Sequence, residues 1–277
     1  MRISALQTGT VAVKEVQREG RGRGPARIIN VLRAKQWTEP LPIHVWAIEH
    51  PEGVILVDTG ETALASEPGY FPRWQPYFRV AVRFAIRPDQ EIGPRLEGIG
   101  IAPDQVRWVL LTHMHTDHAG GLRHFPNAEI VVARKEYEAA QGVKGRVNGY
   151  LPNRLPKWLS PRLVDFEGEP FGPFPASVPL TSAGDVRLLP TPGHSPGHLS
   201  VVFTDAEGRL IFFAGDTSYT QDLMLRGAVD GVSPDPKSAA TSLERIRRLA
   251  ADNELVYLPT HDPEAARRLA SRSTVTV

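Results

Sequence analysis

At 277 residues the chain is long for an average domain, yet two packed sheets of this size commonly share one large core, so a single domain over residues 1–277 is expected. Lys and Arg number 32 against 31 Asp and Glu, a formal net charge of +1, which gives no sign of a surface built for phosphate backbones and argues against nucleic acid as partner. Cysteine is absent, which excludes disulfides, thiolate ligands and cysteine nucleophiles together and leaves His and carboxylates for any metal.

Taken from the start, Met1 to Gly9 lacks the apolar run of a signal peptide, and no stretch approaches a membrane-spanning length, so the expected location is cytoplasmic with no membrane partner. Short apolar runs bounded by turn residues predict strands over Ile43–Glu49, Val54–Asp58, Trp108–Leu111, Glu129–Ala133, Val186–Leu189, Leu199–Thr204, Leu210–Ala214 and Leu255–Leu258. Between them, Glu91–Gly98, Ala133–Gln141, Lys237–Ala251 and Pro263–Ser271 have helix-forming composition, the last with Asp262 as its cap. That order favours an α/β (α+β) protein of mixed sheets flanked by helices. Insertion segments near residues 66–96 and 142–178 break the rhythm. The first holds Tyr70, Phe71, Trp74, Tyr77, Phe78 and Phe84, and two readings stay open: loops covering the core, or an apolar groove beside a site.

His113-Met114-His115-Thr116-Asp117-His118 follows a buried strand and precedes Ala119-Gly120-Gly121. Four ligand-type side chains in six residues, placed on a tight turn, read as a metal site. His194 in Thr191-Pro192-Gly193-His194-Ser195-Pro196-Gly197-His198, Asp216 in Ala214-Gly215-Asp216-Thr217 and His261 in Leu258-Pro259-Thr260-His261-Asp262 occupy similar positions after strands. Seven ligands exceed the four that a single zinc takes and suit two ions. Nitrogen and carboxylate without sulfur point to zinc first, with manganese, iron and cobalt open. Two internal echoes, Glu52–Thr59 against Glu207–Thr217 and Leu111–His113 against Leu189–His194, suggest two halves placing ligands about one cleft.

The HxHxDH run, the later His, the intervening Asp and the C-terminal His resemble the metallo-β-lactamase-fold hydrolases, in matching order from Val54 to His261. The resemblance implies an αββα sandwich of two mixed sheets with the metals at one edge. It implies that His113, His115 and His194 hold one ion, that Asp117, His118 and His261 hold the other, and that Asp216 bridges them. Asp58 resembles the family's Asp that supports a ligand His. Within the superfamily the chain is most similar to the N-acyl-homoserine lactonases, which carry a Tyr three residues after the bridging Asp, as in Asp216-Thr217-Ser218-Tyr219. That likeness implies a dinuclear zinc hydrolase of quorum-quenching type. A metal-bridging hydroxide would open a lactone ring, Tyr219 would polarise the carbonyl and Asp117 would return a proton to the leaving oxygen.

The expected partner is a small-molecule lactone or ester, and a homodimer stays open. Alternatives on the same core are a glyoxalase-II-like thioester hydrolase, for which Arg267, Arg268 and Arg272 supply a weak basic cluster, a β-lactamase, and an aryl-ester or phosphotriester hydrolase. A non-catalytic metal-binding scaffold is the alternative of another class. His198 is read as a supporting or structural residue, and His44, His50 and His124 as ordinary surface or loop histidines.

Overall fold

The structure, a computed structural model, describes residues 1–277. Its strands fall into two sheets. The first contains β1 (Arg2–Val13), β2 (Leu41–His50), β3 (Gly53–Val57), β4 (Val82–Ala85), β5 (Val106–Leu110), β6 (Glu129–Ala133) and β7 (Arg162–Val164), in the order β4-β1-β2-β3-β5-β6-β7. The second contains β8 (Val178–Pro179), β9 (Val186–Pro190), β10 (Leu199–Thr204), β11 (Leu210–Gly215) and β12 (Leu255–Pro259), in the order β12-β11-β10-β9-β8. Both are mixed: β3, β5, β6 and β7 run parallel, as do β11 and β12, and the remaining pairs are antiparallel.

The central strands β2, β3, β5, β10, β11 and β12 read as nearly continuous apolar runs because they are covered on both faces. Trp46, Ile48, Ile55 and Val57 of the first sheet meet Val201, Ile211, Phe213, Val256 and Leu258 of the second between the layers. The alternate residues Val45, Ala47, Leu56 and Val109 face outward onto Ile92, Leu96, Leu122 and Phe125. On the other outer face, Phe212, Leu210 and Tyr257 pack against Leu243, Ile246 and Leu249 of the helix Pro236–Asp252. That helix opens with Asp235 accepting from the backbone N–H groups of Lys237 and Ser238 (3.1 Å each) and with Pro236 in its first turn. The result is an αββα sandwich.

The eight expected strands are all present within one or two residues at most ends, but four were not legible. β1 is broken by a register shift between Gln7 and Thr10, where Gly9 at φ +97° forms a bulge, so its burial never alternates cleanly. β4 lies inside the first insertion segment and pairs with β1, which makes that segment an edge of the sheet as well as a cover. The helix Ala26–Arg33 was also unanticipated. The last helix begins at Ala265, with Asp262 accepting from the backbone N–H of Glu264 (2.9 Å) in the turn before it.

His44 and His50 are not surface residues. His44 is buried on β2 beside Trp46, with ring centroids 5.2 Å apart, and burial pushes its imidazole down to about 4, so it stays neutral. His50 is buried with Nε2 3.2 Å from Asp185 Oδ2, while half-buried His124 sits 2.8 Å from Glu91 Oε2. Phe213 is fully enclosed between the sheets. Phe213→Ala is expected to cost about 3–5 kcal/mol of unfolding free energy, read from the midpoint of a urea denaturation curve.

Candidate metal centre

Parallel β3, β5, β11 and β12 end at one edge of the sandwich, together with β9, and the ligand-type residues sit just past those ends. His113, His115, Asp117 and His118 follow β5; His194 follows β9; Asp216 follows β11; His261 follows β12. The loop before His194 is fixed by Gly193, whose φ of +141° and backbone contact leave no room for a side chain: a Cβ there would lie 2.3 Å from Ala239 N and Cα.

All seven side chains converge. His113 Nε2 lies 3.0 Å from His115 Nδ1, which lies 3.1 Å from His194 Nε2. On the other side, His261 Nε2 is 3.4 Å from Asp117 Oδ2, and His118 Nε2 is 4.0 Å from Asp117 Oδ1. Asp216 stands between the groups: Oδ1 is 3.4 Å from both His118 Nε2 and His261 Nε2, and Oδ2 is 3.5 Å from His194 Nε2. Its two oxygens thus face different nitrogen sets, the disposition a bridging carboxylate needs.

These residues fit divalent cations on physical grounds. His118 Nε2 and Asp216 Oδ1 are fully buried with no hydrogen-bond partner, a costly arrangement unless something else satisfies both. Tetrahedral zinc at about 2.0–2.1 Å from each nitrogen would hold imidazole nitrogens roughly 3.3 Å apart, close to the spacings in the first trio. Electrostatics divide the five imidazoles: burial opposes their charged form, but the Asp216, Asp58 and Asp230 carboxylates raise His118, His261 and His194, the last to about 8, so that a bound cation would take the place of a proton on these three. Burial, reinforced by neighbouring imidazoles, holds His113 and His115 well below the usual histidine range, so their lone pairs are free. Burial opposes the ionisation of Asp216, but His261 and His118 keep its carboxyl well below the usual carboxylate range.

Four of the five imidazoles are aimed by their other face, His115 being the exception. His118 Nδ1 is 2.8 Å from Asp58 Oδ2, and His113 Nδ1 is 3.1 Å from Thr112 Oγ1. His261 Nδ1 donates to the Pro42 carbonyl (2.9 Å), and His194 Nδ1 lies 3.2 Å from Asp230 Oδ2. Such partners fix both tautomer and ring angle. Asp58 takes a left-handed backbone (φ +63°), and its carboxylate also accepts from the Thr112 N–H at 2.7 Å. His198 does not reach the ligand space: its Nε2 accepts from the Asp216 backbone N–H (3.0 Å) and its ring, pushed by burial down to about 3, stays neutral for that role.

Three functional-looking residues had no signal in the sequence. Asp230 is one. Glu136 is another: fully buried, it accepts from Met114 N (3.0 Å), Tyr150 Oη (2.9 Å), Ser195 Oγ (2.6 Å) and Gly197 N (3.0 Å), and so ties the His113–His118 loop to the His194 loop. The third is Gln17, whose Nε2 donates to the hydroxyls of Tyr219 and Tyr77, 2.8 Å each. A lone polar residue on a helix looks solvent-facing until the packing partner is known.

Beside the cluster lies a cavity of about 660 Å³ reached by His115, Asp117, Asp216, Tyr219 and His261. The first insertion segment divides at this wall. Tyr77, Phe78 and Phe84 line it, Tyr70 and Phe71 pack behind, and Trp74 projects outward, 58% exposed. The helix Ala26–Arg33 and residues 147–150 complete the lining.

The family model of the metallo-beta-lactamase superfamily matches residues 38–261. The chain belongs to that superfamily. An N-acyl homoserine lactonase of Bacillus cereus is 30% identical over 229 residues, spanning 81% of this chain and 82% of the relative. A solved N-acyl homoserine lactone hydrolase, with the product N-hexanoyl-L-homoserine at its catalytic metal center, superposes with a TM-score of 0.75 at 24% identity, covering 96% of this chain and 94% of its own. AidC, a dizinc quorum-quenching lactonase, superposes with a TM-score of 0.65 at 17% identity, covering 95% and 90%. The two structures share the metallo-β-lactamase fold with this chain, which is a metal-dependent hydrolase of the superfamily.

Removing the Glu136 carboxylate leaves four donors in a dry loop junction, each costing about 1–3 kcal/mol if unpaired. Glu136→Ala is expected to lower the urea midpoint and to release bound metal faster on dialysis, whereas Tyr150→Phe, which removes one donor together with its need, is expected to change stability by about 1 kcal/mol or less. Denaturation curves and elemental analysis of dialysed protein read both.

Proposed function

We propose that this metallo-β-lactamase-fold enzyme opens the lactone ring of N-acyl homoserine lactones or related lactones, with two zinc ions. His113, His115 and His194 would hold one, Asp117, His118 and His261 the other, and Asp216 would serve both. When bound, such a pair supplies hydroxide at neutral pH and a Lewis acid for the carbonyl oxygen. Residues 1–277 act as one unit in this reading, because both insertion segments contribute to the cavity wall.

Tyr219 carries the proposal. It lies at the cavity surface with its ring stacked 5.8 Å from that of His261, and burial raises its phenol well above 10, so it keeps its proton. Gln17 donates to the Tyr219 oxygen, which leaves the phenolic proton for an acceptor in the cavity. A lactone carbonyl placed there would gain most from that proton as negative charge develops on its oxygen, so the transition state is favoured over the ground state. Asp117, part-exposed at the cavity floor, would take the proton of the attacking hydroxide and pass it to the departing ring oxygen. Phe78, Phe84 and Ile28 give the acyl chain an apolar wall.

The glyoxalase alternative loses its basic cluster. Arg268 is buried against Asp262 (2.5 Å) and the Tyr257 carbonyl, Arg267 pairs with Glu264 on the surface, and Arg272 lies outside the lining, so none of the three faces the cavity.

Elemental analysis after mild dialysis is expected to give close to two zinc ions per chain, and fewer in Asp216→Ala because loss of a shared carboxylate weakens both sites. Tyr219→Phe is expected to keep both ions while kcat for lactone opening, followed by pH-stat, falls roughly 10- to 100-fold with a smaller change in KM. Wild-type kcat in that variant would remove the oxyanion role. Across a series of acyl chain lengths, kcat/KM is expected to rise by up to about fourfold per methylene until the cavity fills, and Phe78→Ala is expected to flatten the rise.

A further inference from the structure

The near-zero net charge conceals a strong segregation. Residues 20–37, 69–84 and 142–158, the three segments that bring Ile28, Phe78 and Val147 to the cavity wall, hold 12 of the 32 Lys and Arg residues and none of the 31 Asp and Glu. The rest of the chain therefore carries 20 basic residues against 31 acidic. Eleven of the twelve basic side chains are exposed, among them Arg21, Arg23, Arg73, Arg79, Lys144 and Arg146.

Exposed apolar side chains concentrate in the same place. Of ten large hydrophobic residues that stand exposed, seven belong to these segments, and two of the other three are the terminal Met1 and Val277. Val143 is 76% exposed, Val147 63% and Trp74 58%. The segments form one surface: Gln75 Nε2 donates to the carbonyls of Arg146 (2.9 Å) and Val147 (3.4 Å), Arg154 donates to the Tyr70 carbonyl (2.7 Å), and the helix Ala26–Arg33 packs beside the helix Pro76–Val80.

We infer that this mouth of the cavity docks on the surface of an anionic phospholipid bilayer. Protruding Trp and aliphatic side chains accompanied by exposed Arg and Lys, with no acidic residue in the three segments, match such a surface in both polarity and charge; exposed Asp235, between the lining residues Pro234 and Pro236, is one carboxylate against eleven exposed basic side chains. A two-fold contact with a second copy would press this basic surface against itself and is disfavoured by like charge. No helix is long and apolar enough to cross a membrane, so the contact is peripheral. In this orientation the cavity opens toward the acyl layer, the phase into which an acyl-chain substrate partitions. That consequence rests on the lactone reading; the docking itself does not.

Cosedimentation of the metal-loaded protein with vesicles tests it. At about 0.05 M salt the protein is expected to pellet with phosphatidylcholine vesicles containing about 30% phosphatidylglycerol, not with phosphatidylcholine alone, and about 0.5 M salt should release it. Arg73→Glu with Lys144→Glu is expected to weaken partitioning by at least about 20-fold, from roughly fivefold per lost charge. Trp74→Ser with Val143→Ser is expected to weaken it and to reduce the blue shift of tryptophan emission on vesicles. None of these four residues lines the cavity, so turnover of a short-chain, freely soluble substrate and the urea midpoint should stay at wild-type values. Equal binding to both vesicle types, or none to either, would overturn the proposal. So would a dimer in solution that Trp74→Ser with Val143→Ser dissociates, which gives the surface to a second copy, or charge-dependent capture of single-stranded oligonucleotide without vesicle binding.

Discussion

Two carboxylates and five imidazoles packed into one edge of an otherwise apolar sandwich set the terms for the rest of this structure. Burying such groups is costly unless each is paired, and within the cluster His118 Nε2 and Asp216 Oδ1 have no partner of their own. A bound metal would supply the missing partner for both atoms. Around the cluster, fixed acceptors hold four of the five rings: Asp58 on His118, Asp230 on His194, the Pro42 carbonyl on His261 and the Thr112 hydroxyl on His113. The left-handed backbone at Asp58 shows that local conformational ease has been given up to keep that carboxylate in place.

The two-layer architecture makes this possible because the ligand-bearing loops all emerge at the ends of central strands that cannot shift. Residues at the first sheet's β5 and the second sheet's β9, β11 and β12 meet only because the sheets are packed through Trp46, Ile55, Phe213 and Val256. Glu136 and His198 then lock the loops to one another, the first by four hydrogen bonds and the second through the Asp216 backbone. A site assembled from separate loops is thereby made as rigid as the core beneath it.

Segments outside the sandwich decide what approaches the centre. The helix Ala26–Arg33, the aromatic stretch ending at Phe84 and residues 147–150 enclose a cavity with apolar walls and a polar floor, and their outer surfaces carry a one-sided positive charge. A total charge of +1 says nothing of such a surface, because the compensating acids lie elsewhere on the molecule.

The sequence by itself determined the strands buried on both faces, whose apolar runs have no other use, and it drew attention to the His and Asp residues that the structure brings together, because His113, His115, Asp117 and His118 in one turn after a strand have no packing role. It also singled out Asp58 and Tyr219 from their spacing to other motifs. Only the tertiary structure revealed β1, where a bulge at Gly9 hides the alternation, and the edge strand β4, too short to have a period. Only it separated Phe78, which faces the cavity, from Trp74 four residues earlier, which does not. The same holds for Asp230, Glu136 and Gln17, and for His44 and His50, which read as surface residues and are buried. The physical reason is common to all of them: a motif of clustered ligands is local in sequence, whereas the partner that satisfies a buried polar group, or the surface a side chain shares, lies across the fold at separations such as the 202 residues between Gln17 and Tyr219.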